Sequence, residues 1–490
     1  MKKLTDLLQA ISYSEVIGGT DRCISAIEFD TRSISGDDPT AKPLYIAQRG
    51  TQVDGHRFIG QAIAQGAGTI VCDTLPEQPE TNITYIKVNN TSEALGHLAA
   101  AFYDYPSAKL KLVGITGTNG KTTIATLLHR LFTKMDYKAG LISTIENIVG
   151  DEVFSTKHTT PDAVNLNKIL SKMVDAGCEY CFMEVSSHAV CQHRIDGLAF
   201  AGGVFSNITH DHLDFHETFA NYIQAKQGFF NQLSKEAFAL TNKDDKNGLV
   251  MTQNSKANIK SYSLNTMADF KGKILNNSLE GLHLSIDNQE IFFRLSGRFN
   301  AYNLLAIYGT ATLLGLPKED VLVALSGLES AAGRFQLVRN QQNCKAIVDY
   351  AHTPDALQNV LSTIYDITQN SVEIITVLGC GGDRDALKRP LMAEMACKYS
   401  NKVILTSDNP RSEEPAKILE DMEAGVPIEY KRNVLIIENR REAIKTACMM
   451  LQEEGVLLVA GKGHETYQEI KGVRHHFDDM EVINEFFNPL

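Results

Sequence analysis

The first residues that could do chemistry form one run, Gly114-Ile-Thr-Gly-Thr-Asn-Gly-Lys-Thr-Thr123. Gly117 and Gly120 would let backbone N–H groups close on phosphate oxygens. A helix opening at the loop adds positive potential there. Thr118, Asn119 and Thr123 complete the cradle. Lys121 can reach β- and γ-phosphates, and Thr122 can offer its hydroxyl to Mg²⁺. The strict GxxxxGK[ST] pattern would put glycine at position 115, which is Ile. Here the glycine stands one residue earlier. A glycine turn ahead of any helix is the plain alternative. The strand LKLVGIT before the loop and an apolar-faced helix after it argue against that. The loop alone implies only phosphate handling, which many reaction classes share.

Four more groups could do chemistry. Glu184, in Phe182-Met-Glu-Val-Ser-Ser-His188, ends an apolar strand where a carboxylate could hold a phosphate-bridging Mg²⁺. Its alternative is a strand-end surface Glu. The run Asn207–His216 packs three His and two Asp into seven residues. Zinc ligands usually come from separate elements, and the spacing matches no HExxH pattern. His212 is therefore expected to serve a second Mg²⁺. Lys226, in NYIQAKQGFF, reads on pattern alone as a solvated helix lysine. Asp408-Asn-Pro-Arg411 follows the strand VILTS, and an Asx-Pro turn explains it locally. Arg411 adds a guanidinium suited to a carboxylate. Cys178 and Cys181 form a CxxC with no second pair at zinc-ribbon spacing, so they read as reduced structural thiols in a cytoplasmic protein.

These groups need scaffolds, and the texture of the chain offers three. Residues 1–107 carry short β-like runs at 26–29, 44–47, 69–73 and 85–88. The turn-rich stretch at 103–108 looks like a linker. Residues 108–335 open on the phosphate-loop strand. Ile124, Leu127, Leu128, Leu131, Phe132 and Met135 give the next helix one apolar face. Strands at 180–185, 203–208 and 237–241 alternate with helices, as in a doubly wound sheet. Residues 336–490 repeat the alternation with strands at 346–350, 373–378, 402–406 and 456–460, a Rossmann-like pattern. The expected fold is α/β in three domains. The net charge of −12 disfavours nucleic acid as a main partner. No run of about 18 apolar residues suggests a membrane span, and no signal peptide is visible.

Taken together, GTNGKTT, Thr159-Thr-Pro161, MEVSSH, QHR at 192–194, HDHLDFH, the helix lysine, GRFNAYN at 297–303, GRFQ at 333–336, DYAHTPDAL at 349–357, GCGGDRD at 379–385, DNPR and GKGHE resemble the Mur ligase family. The motifs span nearly the whole chain, in order. The resemblance implies a UDP-sugar-binding domain, a central ATPase domain and an amino-acid-binding Rossmann-like domain. It implies a cytoplasmic monomer that uses ATP and Mg²⁺ to build the peptidoglycan stem. ATP would phosphorylate the D-Glu γ-carboxylate of UDP-MurNAc-L-Ala-D-Glu, and an amino acid's amine would displace phosphate.

Carried over by position, Lys226 would be carbamylated by CO₂ and join Thr122, Glu184 and His212 around the metal. Asn300, Asn303, Arg334 and Asp349 would contact the nucleotide. Thr159, Thr160, Ser186, Gln192 and Arg194 would hold the sugar peptide. In the first domain Asp30-Thr-Arg32 replaces the common DSR, so Thr31 keeps the hydroxyl. Thr51, Gln52 and Val53 match a uridine-side loop of variable residue type. Ala331-Ala332 precedes Gly333 where relatives often show Pro, a local loop difference.

For the amino acid, DNPR resembles the diaminopimelate form. Arg411 would bind the far carboxylate of meso-diaminopimelate and repel the ammonium of L-lysine. Arg384 would hold another carboxylate, while Asp408, Asn409, Pro410, Gly461 and Glu465 complete the pocket. The rivals are the same ligase using L-lysine or another diamino acid, a sister ligase adding D-Ala-D-Ala or glutamate, and a nucleotide-binding regulator without turnover.

Overall fold

The structure is a computed structural model that describes residues 1–35, 40–50, 53–156, 158–369 and 371–487. Thr51 and Gln52, two of the uridine-side positions, lie outside the described residues. Three large mixed sheets carry the chain. Their central strands are continuous apolar runs, as strands covered on both faces must be. Alternate residues feed opposite cores. In the phosphate-loop strand Lys111–Thr116, Leu112 enters one cluster while Val113 and Ile115 enter the other. In the last sheet Ile347 and Leu458 face one layer of helices, whereas Val348 and Val459 face the other.

The first sheet is six-stranded among the described residues. Cys23–Glu28, Lys42–Ile46, Thr69–Cys72 and Thr84–Lys87 run parallel between two short antiparallel edges. Its helix Thr91–Phe102 is capped by the Asn90 side chain, which accepts from Ser92 N and Glu93 N. That helix leans on the central sheet's layer through Gly96. A Cβ there would stand 2.7 Å from Asp196 O and 3.1 Å from His193 O, so only glycine permits the approach.

In the eleven-stranded central sheet, Lys111–Thr116 lies between Tyr180–Glu184 and Gly202–Phe205, parallel to both. The carboxyl ends of these three neighbours therefore open at one edge, where open α/β sheets bind ligands. The sheet is doubly wound at its centre, as expected. Its flanks differ: hairpins at Glu146–Val149 with Glu152–Ser155, and at Phe270–Ser278, Gly281–Ile286 and Gln289–Phe293, close it with antiparallel strands. The turn-rich stretch before it holds Asp104 and Tyr105 at positive φ and a short 3₁₀ helix, Pro106–Lys109.

The third sheet orders Lys345–Asp349, Val456–Ala460, Ile374–Cys380, Lys402–Ser407 and Val434–Ile436 in parallel, with Gln336–Arg339 antiparallel at one edge. Among the described residues no helix is long and apolar enough to cross a membrane. Cys178 and Cys181 are buried free thiols.

Candidate functional site

The phosphate loop follows from its glycines. Gly120 has φ +87°, and a Cβ on it would stand 2.6 Å from Asn303 Oδ1. The helix Lys121–Lys134 can start there only on a residue free to adopt that backbone. Lys121 folds back onto the loop, donating to the carbonyls of Gly117 (3.0 Å) and Thr118 (2.8 Å). Thr118 and Asn119 are tied to the neighbouring strand's exit. Thr118 N donates to Asn207 O (2.8 Å), and Asn119 N to Asn207 Oδ1 (3.0 Å). Thr122 and Thr123 are buried in the first helical turn.

Lys226 corrects the reading made from its helix pattern. It is 1% exposed, not solvated, and its Nζ donates to Gly117 O at 2.8 Å beside the Tyr222 ring. The helix Phe219–Asn231 turns this lysine inward with Tyr222 and Phe229, leaving the polar side to water. Burial, and then the Lys121 charge, pushes its ammonium pKa well below the usual lysine range. Burial lowers Lys121 as well, opposed by Glu184. Two lysine side chains thus converge on one carbonyl.

Glu184 is not a surface residue either. It is completely buried at the end of its strand. Thr144 N donates to its Oε1 (2.7 Å), and Thr144 Oγ1 lies 3.2 Å from its Oε2 and 3.0 Å from Thr159 Oγ1. Thr144 thus links the carboxylate to the Thr159-Thr160 step, a connection the sequence did not single out. Thr160 Oγ1 donates to Glu184 O (2.8 Å) and accepts from Ser186 N (3.1 Å). Arg194 donates to Thr160 O (2.8 Å) and to Gln192 Oε1 (2.5 Å). The structure therefore brings Thr159, Thr160, Ser186, Gln192 and Arg194 into one wall beside Glu184.

His212 sits on a left-handed backbone with φ 54°, its ring 4.9 Å from that of His188. Burial lowers its pKa, Asp211 opposes, and the charges of Lys121 and Lys226 reinforce the lowering. Among the described residues no group of three or more His, Cys, Asp or Glu is arranged to hold a metal ion.

The helix Arg298–Leu313 brings Asn300 and Asn303 onto the loop one turn apart. Asn303 Nδ2 donates to Asn300 Oδ1 (3.0 Å), and Asn300 Nδ2 to Ser296 O (2.8 Å). Arg334 reaches across from the turn ahead of the third sheet's edge strand. Its Nη2 donates to Thr122 Oγ1 at 3.0 Å, and its guanidinium lies 4.5 Å over the Tyr350 ring. Asp349 accepts from Phe335 N (2.7 Å) and Ala351 N (2.8 Å), and burial pushes its pKa up to about 6. Asp355 was overlooked. Its Oδ2 accepts from Asn119 Nδ2 (2.9 Å) and Thr209 Oγ1 (3.0 Å), joining the third domain to the loop. The only signal was an acid in the first turn after a Thr353 cap.

Farther along the third sheet, Asp408, Asn409 and Pro410 are buried at the end of Lys402–Ser407. Arg411 donates to Gly382 O at 2.6 Å. A Cβ built on Gly381 would stand 2.8 Å from Arg411 Nη1 and 3.8 Å from Arg384 Cγ, so both guanidinium-bearing chains pass one glycine. In the same turn Asn409 Nδ2 donates to Glu465 Oε2 (2.8 Å), and Gly461 packs against Asp408. Burial, and then Glu465, raises the Tyr467 pKa, and Arg474 and Arg411 oppose it. In the first domain Thr31 is buried in a 3₁₀ turn, whereas Val53 is 52% exposed.

Sequence profiles agree in order along the chain. Residues 24–103 match the Mur ligase family catalytic domain, 115–311 the Mur ligase middle domain and 333–463 the Mur ligase glutamate ligase domain. The chain is 56% identical over 485 residues to the UDP-N-acetylmuramoyl-L-alanyl-D-glutamate--2,6-diaminopimelate ligase of Phocaeicola vulgatus, covering 99% of each chain.

The chain belongs to the Mur ligase family.

A Mur ligase of the same name from Clostridioides difficile is 38% identical over the full length of both chains. A solved structure of a ligase bearing that name superposes with TM-score 0.69 at 31% identity, covering 99% of each chain. A Mur ligase from Thermotoga maritima solved in complex with ADP shares the fold at TM-score 0.60 and 17% identity, covering 95% of this chain and 97% of that one.

Proposed function

We propose that the chain adds meso-diaminopimelate to UDP-N-acetylmuramoyl-L-alanyl-D-glutamate at the expense of ATP. The observation that carries the choice of amino acid is the third-domain pocket. The side chains of Arg384 and Arg411 both pass Gly381, and the same Asp408–Arg411 turn presents Asn409, whose Nδ2 donates to Glu465. Diaminopimelate has a carboxylate and an ammonium at its far end, and the two kinds of group suit them in turn. A lysine's lone ammonium would face the guanidinium groups and be repelled. The names of relatives at 52–56% identity support the same reading.

The loop amides of Gly117 to Thr123, with Lys121, would hold the triphosphate. The D-Glu γ-carboxylate, held beside Glu184 by Thr159, Thr160, Ser186, Gln192 and Arg194, attacks the γ-phosphorus. An O–P bond forms, ADP leaves, and an acyl phosphate results. The neutral amine of diaminopimelate then attacks the acyl carbon. The amide C–N bond forms, inorganic phosphate leaves with the bonding electrons, and the amine loses its proton. Asn300, Asn303, Arg334 and Asp349 would fix the nucleotide, and Thr31 with the 51–53 loop the uridine.

The residues fit Mg²⁺. Thr122 offers a hydroxyl oxygen in the first helical turn, and Glu184 is a buried carboxylate at the end of the neighbouring strand. Hard oxygen donors suit this ion. Thr122, Glu184, His212 and Lys226 would surround it, and it would supply charge neutralisation to the phosphoryl oxygens. The lowered pKa of Lys226 favours the free amine that CO₂ requires. Carbamylation of the free amine forms an N–C bond, releases one proton and turns a neutral amine into an anion. Both pockets are built by one chain, which supports action as a monomer, and substrates of this kind place it in the cytoplasm.

The test offers purified protein ATP, Mg²⁺, UDP-MurNAc-L-Ala-D-Glu and each diamino acid in turn. Phosphate release is expected with meso-diaminopimelate and not with L-lysine. The reverse pattern would overturn the choice of amino acid, and no release with either would mean a nucleotide-binding regulator. Lys226→Ala should lose activity that added bicarbonate does not restore. Near-normal turnover would remove the carbamate.

A further inference from the structure

The GKGHE segment holds a charged group that the reaction as read above leaves unused. Lys462 is 0% exposed. Its Nζ donates to Asn409 Oδ1 (3.2 Å), Glu465 Oε2 (3.3 Å) and Tyr467 O (2.5 Å), and Asp408 Oδ1 lies 3.8 Å away. An ammonium has three hydrogens, and here each finds an acceptor. The acceptors come from three stretches: the Asp408–Arg411 turn, the loop after Val456–Ala460, and the hairpin that starts at Tyr467.

This ammonium fixes what the pocket presents. Asn409 Oδ1 accepts from both Lys462 Nζ and Glu469 N (2.8 Å), so its Nδ2 must point to Glu465 Oε2. A flipped amide would set N–H groups against an ammonium. Glu465 Oε2 is thereby occupied twice, while Oε1 takes no hydrogen bond from the described residues. Asp408, Glu465 and Lys462 together leave one net negative charge, which suits one incoming ammonium. Without Lys462 two carboxylates would share a low-dielectric pocket unpaired. Burial first, and Asp408 second, already raise the Glu465 pKa, and Lys462 opposes them.

Resting on the diaminopimelate reading, we propose that Lys462 is the positioning residue of the amino-acid pocket. It holds Glu465 and Asn409 in the arrangement that leaves Glu465 Oε1 for the substrate ammonium.

A double-mutant cycle tests this, with K462M, E465Q and the pair assayed for the KM of each substrate alongside thermal midpoints. K462M should raise the KM for diaminopimelate by about tenfold or more, the size of one charge-assisted contact, and leave the KM for ATP nearly unchanged. The pair should match E465Q alone, because a residue acting through Glu465 has nothing left to position. Multiplying effects on that KM, or a lower midpoint and kcat with the KM unmoved, would reduce Lys462 to scaffolding. If K462M fails to fold because two carboxylates face each other, the pair still decides against E465Q. Equal KM values support the proposal, and a pair that also fails to fold overturns it. Wild type is assayed first. Should it use L-lysine, the diaminopimelate reading fails, and the same cycle run on lysine still decides the role of Lys462.

Discussion

Arg411 carries its side chain on a left-handed backbone, φ 52°. For a non-glycine residue that costs on the order of 1 kcal/mol. The hairpin that follows GKGHE offsets it: Arg411 N donates to Glu469 O (3.0 Å), and Lys471 N donates to Arg411 O (2.6 Å). A strained residue held from both sides aims its guanidinium reproducibly. Arg411→Ala should therefore raise the KM for diaminopimelate roughly 10- to 100-fold, as loss of a charge-assisted hydrogen bond costs about 1.5–3 kcal/mol. The KM for ATP should hardly move. Equal effects on both constants would mean that Arg411 only shapes the turn. The side chain was legible in the sequence because a guanidinium beside an Asx-Pro turn has a definite partner chemistry. The hairpin that aims it was not, because backbone bonds between distant segments leave no residue signature. Lys226 shows the opposite limit. Its helix pattern favours solvent, and only the tertiary structure reveals that it is buried against Gly117 O.

The helix that follows the phosphate loop carries a buried titratable group on its inner side. His129 is 8% exposed, and burial lowers its pKa to about 4 against an ordinary 6.5, with the Ala139 backbone hydrogen bond opposing. Between those values the unfolded chain binds a proton that the folded chain refuses. Stability contributed by the neutral ring is complete above pH 6.5 and is lost as pH falls towards 4. The loss is about 1.4 kcal/mol per pH unit. His129→Gln keeps a donor for the Ala139 carbonyl but cannot titrate. Urea unfolding at pH 7, 5 and 4 should show the wild type losing roughly 3 kcal/mol more than this variant. A constant gap between the two across that range would acquit His129. The helix itself was readable, since its apolar residues recur at helical spacing and are buried. Strands followed the same logic. Val456–Ala460 is apolar throughout and is buried throughout. Glu152–Ser155 and Gln289–Phe293 are largely exposed edges whose polar residues hide them among loops.

At the scale of the whole molecule, a chain of net charge −12 collects cations where it must handle anions. Lys121, Lys226 and Arg334 meet at the loop, and Arg384 and Arg411 pass Gly381 at the proposed amino-acid pocket. Over a Debye length of about 8 Å such local charge outweighs the distant acidic surface. The two groups belong to different sheets, so chemistry needs them together, and several contacts hold them so, among them the Arg339–Glu280 ion pair and Leu279 in the core of the third sheet. Arg334 reaches Thr122, and Asp355 Oδ2 accepts from Asn119 and Thr209. Burial raises the Asp355 pKa, and its hydrogen bonds oppose that. Asp355→Ala would remove both of its contacts to the central domain at once. Each bond to a charged acceptor is worth about 1.5–3 kcal/mol, which is enough to shift an equilibrium between joined and parted domains. Small-angle scattering of the nucleotide-free variant should then give a larger radius of gyration than wild type, and saturating ATP should narrow the difference. Asp355→Asn keeps one acceptor without the charge and should fall between. Identical scattering from all three proteins would show that Asp355 does not hold the domains together, and would leave that to contacts such as Arg334–Thr122 and Arg339–Glu280.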